Sequence, residues 1–332
     1  MARYHPVQFW YCNKEIYGRS TTYNRKHAIQ PDDPKFHPCG GCVGCRLEKS
    51  RSWAVRCTHE ASLYSSNCFL TLTYSPENLP KYGTLVPKHF TDFFKRLRHH
   101  CRGIDEVKYI RGDGTSVIDN PLRYYMCGEY GEKTARPHYH AILFNYDFDD
   151  KYVISRNHMN QALYSSDKLN EIWGHGFAVF GDVSWQSIAY VTRYVMKKFN
   201  NGSDPSKYIA KYGVFDTSTG ELLDVKQPDY ARMSNRPAIG LPWLQKYGTD
   251  VYPNDFVVIN GQTIKPPKYY DILLERMNPE LYDSVVENRL EKRVKNIKKI
   301  LYESTAPRLT WSRMSMKYLL WLGVIAVVWW VS

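Results

Sequence analysis

The chain has 332 residues, of which 43% are hydrophobic, enough for a packed core and for more than one domain or lobe. Its 45 Lys and Arg against 33 Asp and Glu give a net charge of +12, which favours a polyanionic partner, most simply nucleic acid. Three of the eight cysteines are clustered and the others are scattered, while residues 1–10 are polar and aromatic. This pattern argues against a secreted disulfide framework and a signal peptide, and it predicts a reducing cytoplasm.

Aromatic residues make up 15% of the chain and include 27 tyrosines. Basic groups interleaved with aromatic rings suit single-stranded nucleic acid, because phosphates need cations and unstacked bases need flat platforms. Core packing is the alternative for most of these tyrosines.

The clustered cysteines are Cys39, Cys42 and Cys45, with glycines between them. A Cys-x-x-Cys-x-x-Cys run with glycines forms a tight turn that directs the thiolates to one point, which favours a structural zinc ion. An iron–sulfur centre and simple reduced thiols are the alternatives. A tetrahedral ion needs a fourth ligand, for which the candidates in order of preference are Cys12, His37 and Cys57.

Periodicity predicts a series of helices and strands. In chain order these are a helix over residues 45–64, a strand over 67–74, a helix over 87–100, strands over 123–129 and 138–144, a turn and strand over 173–183, and helices over 187–198 and 280–303. On the 67–74 strand, Phe69, Thr71 and Thr73 share one face. We predict three regions: an N-terminal segment with the cysteine cluster (1–65), a core (66–204), and a C-terminal region with a basic helix and an apolar tail (205–332).

Two histidines, His138 and His140, begin an apolar run. Because side chains alternate along a strand, both imidazoles point to one face and Tyr139 points to the other. Two imidazoles side by side on a rigid strand form two legs of a metal site. Surface histidines or hydrogen-bonded core histidines are the alternative.

Glu129 ends the preceding strand, and only the short polar loop 130–136 separates it from the histidines. Two strands joined by so short a loop are expected to pair antiparallel, which brings Glu129 beside His138. One carboxylate and two imidazoles make a three-ligand set with open positions. This mixed set suits Mg²⁺ or Mn²⁺ in phosphoryl chemistry and would also accept Zn²⁺.

Tyr190, Tyr194 and Lys198 follow one another at intervals of four, so they line one face of the predicted helix. A tyrosine with a pKa near 10 needs help to act as a nucleophile. The lysine can favour the phenolate, and a divalent ion held by the histidine strand can polarise a phosphate oxygen. Packing is the alternative role for the two tyrosines.

Three motifs together resemble those of the HUH endonucleases, which initiate rolling-circle replication. They are Phe69-Leu70-Thr71-Leu72-Thr73-Tyr74, His138-Tyr139-His140, and the Tyr190, Tyr194, Lys198 series. The two tyrosines, the cysteine cluster and the chain length are most similar to replication initiators of Microviridae, the small single-stranded-DNA phages, especially their gokushovirus-like branch. The resemblance covers about residues 39–200.

The resemblance implies an α+β fold with a five-stranded antiparallel sheet, the histidine strand in its centre and helices on its faces. A Cys-rich N-terminal segment and a mainly helical C-terminal extension would complete the chain. It also implies a nick in a single-stranded origin, a 5′-phosphotyrosine link and a free 3′-OH for a host polymerase, with the second tyrosine cutting the new junction. Glu129 matches the acidic third ligand, and Tyr139 is bulkier than the usual aliphatic residue.

No Gly-x-x-x-x-Gly-Lys-Ser/Thr run occurs, so we expect a host helicase to separate the strands. The alternative functions are a zinc-stabilised single-strand-binding protein without catalysis, and a plasmid-type replication or mobilisation protein. The apolar tail, residues 318–331, would span about 21 Å as a helix, less than the roughly 30 Å hydrocarbon core of a bilayer. We therefore expect the host bacterial cytoplasm, with peripheral membrane contact through the tail as an option.

Overall fold

A computed structural model describes residues 6–101, 107–110, 116–119, 122–156, 160–193 and 205–305. In chain order the strands are β1 (Pro6–Tyr11), β2 (Thr21–Thr22), β3 (Lys35–Pro38), β4 (Asn67–Thr73), β5 (Val107–Ile110), β6 (Ser116–Asp119), β7 (Arg123–Tyr130), β8 (Pro137–Phe144), β9 (Tyr152–Arg156), β10 (Ala162–Ser165), β11 (Ala178–Asp182), β12 (Gly213–Phe215), β13 (Leu222–Val225), β14 (Tyr230–Met233), β15 (Val257–Ile259) and β16 (Gln262–Ile264). The α-helices are α1 (Lys14–Tyr17), α2 (Val43–Ala61), α3 (Pro87–His100), α4 (Asp167–Trp173), α5 (Trp185–Arg193), α6 (Pro205–Tyr212), α7 (Leu241–Val251), α8 (Lys268–Met277) and α9 (Pro279–Thr305).

The largest sheet of the described residues has seven antiparallel strands in the order β14-β7-β8-β4-β11-β10-β9. The histidine strand β8 lies between β7 and β4, well inside the sheet. The mixed α+β class with a large antiparallel sheet is thus confirmed, whereas the expected number of five strands is wrong. The strand β14 adds to one edge from beyond residue 204, and its four residues carry too weak a pattern to be predicted from sequence.

Side-chain alternation along β8 sends residues into two separate cores. Tyr139, Ala141 and Leu143 pack with the aromatic residues of α3 and with Trp173 of α4 on one face. Ile142 and Phe144 pack with α2 and α5 on the other face. A strand covered on both faces reads as a continuous apolar run, which is the pattern seen after His140.

The N-terminal segment has a small sheet of its own, in the order β2-β1-β3. Trp10, Cys12 and Thr22 are buried within it. The chain then passes through the cysteine cluster into α2, whose last turns pack on the large sheet.

Two compact units divide the chain, Met1–Ile272 and Leu273–Ser332. Residues 205–272 mix the helices α6 and α7 with short strands, and the described part of the second unit is helical. The boundaries after residues 65 and 204 stay predictions.

All eight cysteines are free thiols. Within the described ranges, no helix has both the length and the apolar character needed to cross a bilayer. The apolar tail 318–331 lies outside these ranges.

Candidate active site

Glu129, His138 and His140 converge on one point of the large sheet. The antiparallel pairing of β7 and β8 is as predicted, and it sets Glu129 directly opposite His138. One carboxylate oxygen, Glu129 Oε1, lies 3.0 Å from His138 Nε2 and 3.1 Å from His140 Nε2. Glu129 and His140 are buried, and His138 is half-buried. This carboxylate–imidazole cluster is a group that could hold a metal ion.

The surroundings of His138 suit a cation. Its Nδ1 lies 3.1 Å from the carbonyl oxygen of Arg136, so both ring nitrogens face oxygen acceptors. A neutral imidazole has only one N–H, so this arrangement needs either an imidazolium or a cation between Nε2 and Oε1. Neighbouring ligands at right angles on a cation with bonds of about 2.1 Å lie about 3.0 Å apart, which agrees with the two distances in the cluster.

The second imidazole is held by the neighbouring strand β4. Thr71 lies directly opposite His140, and its Oγ1 is 3.0 Å from His140 Nδ1. The ring of Phe69 stacks on the same imidazole at 5.6 Å with an interplanar angle of 10°. Burial lowers the pKa of His140, which favours the neutral form that binds metals.

Glu129 has the charge that a cation needs. Burial opposes its ionisation, but hydrogen bonds with His138 and His140 outweigh burial and lower its pKa below the usual range. The cluster therefore presents a carboxylate rather than a neutral acid.

Thr71 and Phe69 were not predicted as site residues. Strand alternation placed them on a common face, but the register that sets Thr71 opposite His140 was not readable from the sequence. Such partners orient the ring of a metal ligand and fix its tautomer.

Helix α5 brings Tyr190 to the same side of the sheet. The helix is anchored on the sheet by Ile188 and Val191, which are buried in the core between α2, α5 and the strands. The Tyr190 ring lies 5.1 Å from the His140 ring, nearly perpendicular to it, and 42% of the residue is exposed. A partly exposed phenol thus borders a buried ligand set. Tyr194 and Lys198 lie outside the described residues.

Tyr139 is on the opposite face of β8, as alternation predicts. It is fully buried, and its hydroxyl donates to the carbonyl of Val86, accepts from the Val86 N–H and lies 2.8 Å from the Tyr74 hydroxyl. Burial raises the pKa of Tyr139. The bulky residue is therefore a hydrogen-bonded core side chain that stays neutral.

The three clustered thiols form a second group that could hold a metal ion. The sulfurs of Cys39 and Cys45 are 4.0 Å apart, close to the roughly 3.8 Å between two thiolates on a tetrahedral zinc ion. The backbone N–H of Cys42 donates to the Cys39 sulfur at 3.3 Å. Gly40 adopts a φ of +75°, a turn conformation that side chains disfavour and glycine allows.

Cys12 is not among these close thiols, which corrects its prediction as the fourth ligand. It lies inside the N-terminal sheet, where its thiol donates to the carbonyl of Arg19 at 3.1 Å. Both ring nitrogens of His37 are in hydrogen bonds, with Tyr23 and Pro38. Cys57 is buried in the core beneath α2, and burial raises its pKa.

Sheet, ligand set and adjacent tyrosine are the features of a replication-associated protein. A family model for replication-associated proteins of the ORF2 type matches residues 67–199, which begin with β4 and contain the carboxylate–imidazole cluster and Tyr190. No solved structure matches the chain significantly.

Three relatives are phage proteins of the same kind. Replication-associated protein VP4 of Bdellovibrio phage phiMH2K is 33% identical over 258 residues, which are 75% of this chain and 72% of the relative. Replication-associated protein ORF2 of Spiroplasma virus 4 is 33% identical over 277 residues, 80% of this chain and 75% of the relative. Replication-associated protein ORF4 of Chlamydia phage 1 is 28% identical over 266 residues, 78% of this chain and 59% of the relative. The chain belongs to this family of microvirus replication-associated proteins, as its motifs predicted.

Proposed function

We propose that the protein is a replication initiator of the HUH endonuclease type, which nicks single-stranded origin DNA through metal-assisted attack by a tyrosine. The observation that carries the proposal is the position of Tyr190, whose ring contacts the His140 ring at 5.1 Å. A phenol beside a buried carboxylate–imidazole cluster supports phosphoryl transfer more than passive binding.

Glu129, His138 and His140 would hold the catalytic Mg²⁺ or Mn²⁺. When bound, such an ion polarises the scissile phosphodiester and orients it for in-line attack. Thr71 and the carbonyl of Arg136 hold the outer nitrogens of the two imidazoles, so that both Nε2 atoms point towards Glu129.

In the nicking step, the Tyr190 hydroxyl oxygen forms a bond to phosphorus and the bond from phosphorus to O3′ breaks. The phenol loses its proton, which Lys198 would favour by stabilising the phenolate, and the leaving O3′ takes up a proton. The products are a 5′-phosphotyrosine and a free 3′-OH from which a host DNA polymerase extends. Tyr194 would then cut the regenerated junction, and the released 3′-OH would attack the first phosphotyrosine and close a circle. A host helicase would supply strand separation.

The cysteine cluster would hold a structural zinc ion, because its sulfur spacing and its N–H to sulfur bond suit tetrahedral thiolate ligation. We place the nickase core in residues 66–204, between the Cys-rich segment 1–65 and the C-terminal region 205–332. The proposed compartment is the host bacterial cytoplasm.

A covalent-trapping experiment tests this function. The protein is incubated with Mn²⁺ and the circular single-stranded genome that encodes it, the DNA is digested, and nucleotide adducts are located by mass spectrometry. We expect adducts on Tyr190, on Tyr194 or on both, and none in the Tyr190→Phe, Tyr194→Phe double variant. Tyr152→Phe is the matched control, because Tyr152 is an exposed tyrosine on the edge strand β9. Adducts that persist in the double variant, or wild-type binding without cleavage, would reject the proposal, and the latter would favour a binding protein without catalysis.

A further inference from the structure

Aromatic rings cover one side of the small N-terminal sheet. Directly opposed residues of antiparallel strands share a face, so Val7 and His37 lie on the same side as Phe9 and Lys35. Phe9 lies 6.0 Å from Tyr11 and 5.5 Å from His37, and His37 lies 5.8 Å from Tyr23, measured between ring centres. We call Phe9, Tyr11, Tyr23 and His37 the aromatic face.

The rings of the aromatic face are held in place and open to solvent. The Tyr23 hydroxyl donates to His37 Nε2 at 3.0 Å, while His37 Nδ1 donates to the carbonyl of Pro38 at 2.9 Å. Tyr11 is 55% exposed and Tyr23 is 65% exposed. The opposite side of the sheet buries Trp10, whose Nε1 donates to the carbonyl of Pro31. The segment thus has its own small core and presents preordered rings outward.

The charge around these rings is positive. Residues 6–56 contain nine Lys and Arg against four Asp and Glu. Asp33 and Asp32, the carboxylates nearest to β3 in sequence, form ion pairs with Lys35 and Arg25. A row of flat rings in basic surroundings is complementary to a single strand, whose bases expose the π-faces that a duplex hides.

We infer that the aromatic face is a stacking platform for single-stranded DNA flanking the nick. The inference rests on the proposed function for the identity of the ligand, and it adds a second contact region to the catalytic site. The two regions are linked through the fold, because β3 leads through the cysteine cluster into α2, and α2 packs against α5, which carries Tyr190. A structural zinc ion at the cluster would fix the start of this link.

The test measures the dissociation constant of a fluorescent 20-nucleotide oligothymidine, which contains no origin, by anisotropy with the full chain. Stacking contributes about 1–3 kcal/mol per base, so Tyr11→Leu combined with Tyr23→Leu is expected to weaken binding at least about tenfold. The Tyr11→Phe, Tyr23→Phe variant keeps the rings and is expected to stay within about twofold of wild type. Phe36→Leu is the matched control, because Phe36 is 54% exposed on the opposite side of the same sheet. An unchanged dissociation constant in the double leucine variant overturns the inference.

Ultraviolet crosslinking of the wild-type chain to a bromodeoxyuridine oligonucleotide removes any dependence on the folding of variants. Crosslinks on the aromatic face are expected, and crosslinks confined to other regions overturn the inference. The proposed function is scored separately. If the wild-type protein forms no tyrosine adduct with the genome yet binds through the aromatic face, only the nickase proposal fails.

Discussion

The two candidate metal clusters of this protein are built in opposite ways. The three thiols come from seven consecutive residues and are gathered by a glycine turn ahead of α2. The carboxylate–imidazole cluster comes from two strands in the middle of a seven-stranded sheet, with partners from a third strand and a helix. The first cluster depends on local spacing, and the second depends on the fold around it.

This difference predicts opposite couplings between metal and fold. The thiols are partly exposed and adjoin a small sheet with few buried side chains, so an ion there would stabilise the segment that holds it. Glu129 and His140 are buried and fixed by strand pairing, so their positions do not depend on an ion. One site is expected to hold its surroundings together, and the other is held by them. Four predictions test this contrast, in order of their expected effect on the nicking rate.

The largest effect is expected for Glu129→Gln, which keeps the size of the side chain and removes its charge. Loss of charge stabilisation by a metal ligand is worth several kcal/mol, so the nicking rate should fall about 100-fold or more. Thermal unfolding should change little, because the sheet and not the ion fixes this site. Glu132→Gln in the adjacent exposed loop is the control, and wild-type nicking by Glu129→Gln would contradict the ligand assignment.

A smaller effect is expected for Thr71→Val, which removes the hydroxyl at His140 Nδ1 and keeps the branched shape. Loss of such an orienting partner lowers metal affinity about 10- to 100-fold. The concentration of Mn²⁺ needed for half-maximal nicking should rise accordingly, while the rate at saturating Mn²⁺ recovers. Thr71→Ser retains a hydroxyl and should restore much of the affinity. Equal Mn²⁺ requirements in the valine and serine variants would show that the hydroxyl does not orient the ring.

Cys42→Ser should act on the fold of the N-terminal segment more than on chemistry. We expect bound zinc, measured by mass spectrometry under native conditions, to be lost and residues 6–42 to lose protection from hydrogen exchange. Strand β8 should keep its protection, and the nicking rate at saturating DNA should fall no more than about threefold, the size of a weak indirect effect below 1 kcal/mol. Loss of protection across β8 would show that the two clusters are not independent.

Acid offers the smallest effect on chemistry, through a histidine outside both clusters. His59 is buried, stacks on Trp243 at 3.5 Å and contacts the Tyr270 hydroxyl at 2.9 Å, and burial lowers its pKa to about 3. The unfolded chain, with a histidine pKa near 6.5, therefore takes up a proton that the folded chain refuses.

Stability should thus fall as the pH drops from about 6.5 towards 3, by about 2 kcal/mol between pH 6.5 and 5 from this group. In His59→Gln the free energy of unfolding should depend less on pH over this window, as denaturant titrations would measure. Unchanged pH dependence would assign the acid sensitivity to other groups, including the metal-site imidazoles. The glutamine variant also lets the effect of acid on the imidazole cluster be read with less interference from unfolding.

The sequence by itself determined the features that depend on local geometry. Alternation along a strand placed His138 and His140 on one face, and a short hairpin brought Glu129 beside them. The spacing of the three cysteines gathered their thiols, and the helical repeat of α3 marked its buried aromatic stripe. Each of these relations holds within a few residues of chain, where backbone periodicity fixes side-chain direction.

Only the tertiary structure decided what lies around those local features. Thr71 is 69 residues from His140 in sequence, and strand register alone sets them opposite each other. Tyr190 reaches the cluster because α5 packs on β7 and β8, and β14 joins the sheet from a region with no readable pattern. The same packing places Cys12 inside its own small sheet, away from the other thiols. Contacts between distant segments depend on how whole surfaces fit together, and no periodicity in one segment encodes that fit.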